Sequence, residues 1–225
     1  MPGTLYVIAT PIGNLADVTY RVIETLRSLD VLFCEDTRQT MRLLARYDLK
    51  VPLDSYREAA HAAKTARVVA LLRDGKNIGL VSDAGTPTIS DPGHRLVRDV
   101  IAALPAATII PLPGPSAVVT ALSASGFAAD QFLFLGFPPH KKGRAAFFAE
   151  ALNQPRAVVL YESPHRIAKT LEAVALIGPA RQLCVARELT KIHETFYRGT
   201  AAEVMAGLKA TSARGEFVVV IAPKE

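Results

Sequence analysis

The chain has 225 residues, 50% of them hydrophobic and 21% charged, with a formal net charge of +5. That is ample apolar material for a core, so disorder and low complexity are excluded, and the length fits one large or two modest domains. The mild basic excess permits an anionic partner without requiring one.

The first apolar run, residues 5–9, has no basic segment before it and reads as a buried strand rather than a signal sequence. Val22, Ile23, Leu26 and Leu29 then mark the face of a helix. Residues 31–34 predict a second strand, followed by a helix over 37–47. An alanine-rich helix is expected over 57–73, closed by Asp74-Gly75. A strand at 78–81, a helix at 94–104 and a strand at 108–110 complete the first half.

The proline-rich segment 111–115 is a natural hinge, which places two α/β domains at 1–112 and 113–225. In the second half, strands are expected near 132–135, 158–161, 183–186 and 217–221, with helices near 144–152, 166–176 and 201–209. Alternation of this kind predicts an α/β fold with largely parallel sheet. No apolar stretch approaches the ~18 residues of a membrane-spanning helix. The two cysteines, Cys34 and Cys184, lie far apart and suit a reducing compartment, so a soluble, cytoplasmic protein is expected.

Polar and glycine-rich residues gather just after the strands. They are Thr10-Pro11-Ile12-Gly13-Asn14, Glu35-Asp36-Thr37-Arg38, Ser82-Asp83-Ala84-Gly85-Thr86-Pro87, Pro113-Gly114-Pro115-Ser116-Ala117, Glu162-Ser163-Pro164-His165-Arg166 and Arg187-Glu188-Leu189-Thr190-Lys191. Each alone fits a turn. Six together predict a ligand cleft, because open α/β sheets bind ligands outside the carboxyl ends of their strands.

Several chemistries fall away. No Gly-x-Gly-x-x-Gly, Walker A or Cys-x-x-Cys sequence is present, and the five histidines are scattered, so no bound metal is expected. The run 114–118 ends in Val118 where a nucleophile elbow needs glycine, so Ser116 reads as a helix N-terminal residue able to face a ligand. Glu35 and Asp36 have two readings. One is a helix cap with an ion pair to Arg38; the other is a cleft group that holds a substrate hydroxyl or a cation. His140-Lys141-Lys142-Gly143-Arg144 is the one tight basic cluster, either a solvated loop or a phosphate grip.

Taken in order and at this spacing, the six motifs resemble the tetrapyrrole methylase superfamily, the class III S-adenosylmethionine-dependent methyltransferases. Within it they are similar to the branch that acts on small-subunit ribosomal RNA, over residues 4 to about 222. The resemblance implies two α/β domains with the methyl donor, S-adenosylmethionine, in the cleft between them, and a homodimer. It implies methylation of a cytidine ribose 2′-hydroxyl in the decoding region, on rRNA or the assembled small subunit. It also implies donor contacts at Pro11 and Gly13, at Ala84, Gly85, Thr86 and Ile89, at Ser116 and Ala117, and at Glu162 and Leu189. Such proteins usually carry a further C-terminal helical extension, which is not expected in a chain ending at Glu225.

A ribose hydroxyl is a poor nucleophile, so the site must place it and remove its proton. Glu35, Asp36, Glu162 and His165 are the candidate bases, and the sequence does not choose among them. Arg38, Lys141, Lys142, Arg144, Arg166 and Lys191 are the candidate phosphate contacts. Two rivals remain: a small-molecule tetrapyrrole methyltransferase, disfavoured by the charged loops, and a non-catalytic RNA-binding module, disfavoured by the lack of RRM or KH signatures.

Overall fold

The computed structural model describes residues 1–57 and 60–224. The chain divides into two compact units, Met1–Ser116 and Ala117–Glu225.

The first unit is a doubly wound sheet. Its strands are β1 (Thr4–Ile8), β2 (Val31–Cys34), β3 (Leu53–Ser55), β4 (Ile78–Val81) and β5 (Thr108–Leu112), in the order β3-β2-β4-β1-β5. All four pairings are parallel. Side chains alternate along each strand and feed two cores. Ile8, Leu32 and Cys34 meet α1 (Tyr20–Arg27) and α2 (Thr37–Arg46) on one face. Leu5, Phe33, Ile78 and Leu80 meet α3 (His61–Arg73) and α4 (His94–Ala103) on the other. Gly79 faces the first of these cores, where an added Cβ would lie 2.6 Å from Leu29 and Leu32 methyls. Only a residue without a side chain lets these leucines close over β4.

This layering locates the crevice. The chain leaves β1 for α1 on one face and leaves β4 for α4 on the opposite face, yet β1 and β4 are neighbours. The loops beyond their carboxyl ends therefore part, which is the switch-point geometry that opens a binding site.

The second unit is mixed rather than largely parallel. Its order is β6-β7-β10-β8-β9, from β6 (Phe132–Phe134), β7 (Ala157–Glu162), β8 (Gln182–Arg187), β9 (Thr195–Thr200) and β10 (Phe217–Ile221). β6 runs parallel to β7, while β10 is antiparallel to β7 and β8, and β9 to β8. Helices α6 (Arg144–Leu152), α7 (Ile167–Ile177) and α8 (Ala201–Ala210) share one core with the sheet, and α5 (Ala117–Ser123) packs across β7, β10 and β8. Thr200 and Glu203 form a reciprocal capping box at the start of α8.

The expected α6 agrees with the structure residue for residue, and most other elements agree within one or two residues. The helix expected over 57–73 begins at His61; residues 58 and 59 lie outside the described residues. β3 and β9 were not anticipated, and both are edge strands with no fully buried residue. No described helix is long and apolar enough to cross a membrane.

Candidate functional site

In the first unit, four loops meet at the carboxyl edge of the sheet. The β1 and β4 loops are tied by a two-way backbone pair: Thr10 N–H donates to Gly85 O at 2.8 Å, and Gly85 N–H donates to Thr10 O at 3.0 Å. Gly85 sits at φ +77°, and a Cβ there would press on Ile12 at 3.4 Å and approach the Pro115 carbonyl at 3.8 Å. Thr86 donates its hydroxyl to that same carbonyl at 3.3 Å, which joins the β5 loop to the cluster. Thr88 (φ 76°) and Ser90 (φ 61°) also hold left-handed backbone. For a β-branched threonine that conformation is costly, and such strain collects at functional loops. Thr10 Oγ1 is buried and has no hydrogen-bond partner among the described residues. Buried hydroxyls are rarely left without a partner, so this one is a candidate ligand contact beside the strand-end crevice.

Carboxylates surround this edge and behave differently from one another. Asp36 caps α2, its Oδ1 accepting the Arg38 N–H at 2.9 Å and Arg38 Nε at 3.0 Å. Those bonds from Arg38 hold its carboxyl at about 2. Asp83 Oδ1 accepts the Asp36 N–H at 2.9 Å, linking the β2 and β4 loops. Glu35 is the exception. Burial pushes its carboxyl up, Asp83 and Asp91 push it further, and Arg57 opposes them. Burial likewise raises Asp91, against a hydrogen bond from Ser82. Glu35 is thus the carboxylate here with raised proton affinity and no donor committed to it among the described residues, the condition a general base requires.

Beside Arg57, a relay that the sequence did not reveal fixes the end of β3. Tyr56 N–H donates to Cys34 O at 2.8 Å; its buried hydroxyl shares a hydrogen bond with His61 Nδ1 at 2.7 Å, and His61 Nε2 lies 2.8 Å from the Asp99 carboxylate. The three residues lie on β3's exit, α3 and α4, so no short motif contains them.

In the second unit, Glu162 is fully buried at the end of β7 and committed to its neighbours. Oε1 accepts the Ser163 N–H at 2.9 Å and pairs with Arg166 Nε at 2.8 Å. Oε2 accepts the Thr170 hydroxyl at 2.5 Å, with Arg144 Nη2 at 3.9 Å. Arg144 also donates to Pro139 O at 3.0 Å and to Thr170 Oγ1 at 2.6 Å, and Arg166 donates to Pro138 O at 2.9 Å. Glu162 therefore has no free oxygen with which to take a proton, and Arg144 and Arg166 point inward instead of offering their guanidinium groups to a phosphate. Lys191 is also spoken for, at 2.9 Å from both Glu188 and Glu216. Against the push of burial, these partners hold the Glu188 carboxyl below its usual range and the Lys191 ammonium above it.

The expected site residues thus separate into two groups, one per unit. Pro11, Gly13, Ala84, Gly85, Thr86, Ile89 and Ser116, with Glu35, Asp36 and Arg38, follow the strand ends of the first sheet. Glu162, His165, Arg166, Leu189 and Lys191 follow β7 and β8, while Ala117 opens α5. Lys141 and Lys142 are exposed and form no ion pair with any described residue. The sequence names Thr10 only as part of a loop and singles out neither Asp91 nor the Tyr56 relay as site residues, because their roles depend on burial that a motif does not display.

The family model for Tetrapyrrole (Corrin/Porphyrin) Methylases matches residues 4–205. A Bacillus subtilis protein named ribosomal RNA small subunit methyltransferase I is 44% identical over 97% of this chain and 75% of its own length. A Thermotoga maritima protein of the same name is 40% identical over 99% of this chain and 100% of its own. Among solved structures, uroporphyrin-III-C-methyltransferase from Thermus thermophilus superposes with a TM-score of 0.66 at 20% identity, covering 97% of this chain and 94% of that one, a likeness of fold alone. The chain belongs to the ribosomal RNA small subunit methyltransferase I family, within the tetrapyrrole (corrin/porphyrin) methylases.

Proposed function

We propose that this protein transfers a methyl group from S-adenosylmethionine to the 2′-hydroxyl of a cytidine ribose in the decoding region of small-subunit rRNA. The observation that carries this reading is 40–44% identity, over nearly the whole chain, to relatives named for small-subunit rRNA methylation. The first-sheet crevice fits the donor. Thr10 Oγ1 offers an unused polar atom, Gly85 presents backbone with no Cβ in the way, and the carboxylates favour a cation. When bound, the donor supplies a methyl group on a positively charged sulfur. Glu35 accepts the ribose hydroxyl proton, because it combines raised proton affinity with oxygens that take no hydrogen bond from any described residue. Asp36 and Asp83 set the Glu35 loop by capping α2 and bracing its backbone.

The test is methyl transfer from labelled donor to unmethylated small subunits, followed by nucleoside analysis. Label in 2′-O-methylcytidine is expected. Label confined to a base, or to an added tetrapyrrole, overturns the reading.

Two further outcomes follow. Gly85→Ala puts a methyl group into left-handed backbone against Ile12, and calorimetry is expected to show donor binding weakened about tenfold, roughly 1.4 kcal/mol. Unchanged affinity in a folded variant removes this loop from the donor site. The protein is also expected to be a twofold dimer, as the resemblance implies and as soluble oligomers most often are. Light scattering that returns 24.2 kDa at every micromolar concentration would refute it.

A further inference from the structure

The loop between β6 and α6 exposes an aromatic ring that nothing so far explains. Phe137 is 53% exposed, although the residues on either side are held tightly. Tyr161 N–H donates to Gly136 O at 3.0 Å, Arg166 donates to Pro138 O at 2.9 Å, and Arg144 donates to Pro139 O at 3.0 Å. Both arginines are themselves locked by buried Glu162. The ring meets Tyr161 edge-to-face at 5.5 Å, and the Arg166 guanidinium stands 5.8 Å from its centroid. A buried ion network is thus spent on presenting one aromatic ring to solvent in a fixed orientation.

Charge says what the ring would meet. From Gln131 to Ala149 the sequence contains no Asp or Glu, while His140, Lys141 and Lys142 follow Phe137 on the same loop. Lys141 and Lys142 are exposed, and so is His165 on the adjoining β7 loop. Rigid aromatic surface beside exposed lysines is the chemistry of single-stranded nucleic acid, in which bases stack and phosphates pair. An acidic protein surface would use the lysines but leave the ring without a stacking partner.

From this we infer that Phe137 is a base-stacking platform for unpaired RNA, that Lys141 and Lys142 hold the phosphates beside it, and that Glu162, Arg144 and Arg166 position the loop. The inference deepens the rRNA reading and rests on it for the identity of the strand. The experiment measures binding of a labelled single-stranded oligoribonucleotide at several salt concentrations, with methylation of small subunits measured in parallel. Phe137→Ala and Phe137→Leu are both expected to weaken binding roughly tenfold, the size of one lost base stack. Phe137→Trp is expected to restore it. KM for subunits should rise with the first two variants while donor affinity holds.

Salt separates the two kinds of contact. Lys141→Ala/Lys142→Ala should flatten the slope of log affinity against log salt by about 1.4, whereas the Phe137 variants should leave it unchanged. Wild-type binding by Phe137→Leu, or no oligonucleotide binding by the wild type, overturns the platform. So does Phe137→Leu that keeps RNA affinity but loses self-association, because the ring is then a protein contact. Oligonucleotide binding that depends on Phe137, without any 2′-O-methylcytidine formed, supports the platform and overturns the rRNA methylation reading instead.

Discussion

Glu162→Ala is expected to destabilise the second unit by about 3–5 kcal/mol, the cost of leaving buried charge without its partner. The side chain of Glu162 is fully buried, and those of Arg144 and Arg166 are only 17% and 16% exposed. Removing the carboxylate strands both guanidinium groups and leaves the Ser163 N–H and Thr170 hydroxyl without their acceptor. Glu162→Gln keeps the shape and one acceptor but loses the charge, so it should fall between wild type and alanine. Urea unfolding followed by circular dichroism checks both variants. The rival role makes the opposite prediction: a base can be changed to glutamine with stability retained and activity lost. A Glu162→Gln variant with an unmoved unfolding midpoint and no methyl transfer would put Glu162 back into the chemistry.

That contrast shows where sequence reading stopped. The strands and helices were legible because their apolar periodicity is local: residues 31–34 and 144–152 read directly as the strand and helix they form. β3 and β9 were not, because edge strands are half-exposed and carry no continuous apolar run. Motif loops at strand ends were legible for a topological reason, since turn chemistry and ligand chemistry both concentrate there. What most of the charged residues do was not. Arg144 and Lys142 are two positions apart in one basic run, yet one is bonded inward to Pro139 and Thr170 and the other is exposed. Glu35 and Asp36 are adjacent, yet burial raises one carboxyl and Arg38 lowers the other. Arg144 and Glu35 take their states from burial and from partners far along the chain, Thr170 for the one and Asp83 and Asp91 for the other, which no window of sequence contains; Asp36 takes its state from Arg38 two residues on, the cap and ion pair that the local sequence offered.

Glu35→Gln is expected to lower kcat by about two to four orders of magnitude, the usual contribution of a positioned proton acceptor, while making the protein more stable at neutral pH. The second half follows from the sign of the shift. Burial, with Asp83 and Asp91, raises the Glu35 carboxyl above its ordinary 4.5. A carboxyl raised in the folded state contributes stability that is fully present below its unfolded value and is lost as pH rises through the folded one. Above that folded value the protein carries an ionised carboxylate that its folded surroundings favour less than the unfolded chain does. Glutamine mimics the protonated form and relieves that repulsion, so the thermal midpoint should rise, and the gain over wild type should shrink on acidification. Activity has the opposite dependence, since only ionised Glu35 accepts a proton. Wild-type kcat should climb with pH through the raised Glu35 value and level off above it, and the residual activity of the variant should lack that limb. Asp36→Asn supplies the contrast: its carboxyl, held at about 2 by Arg38, is ionised throughout the range, so the limb should remain. A stabilised Glu35→Gln with wild-type kcat and a raised donor KM would make Glu35 a holder of the cation, leaving His165 as the remaining candidate base.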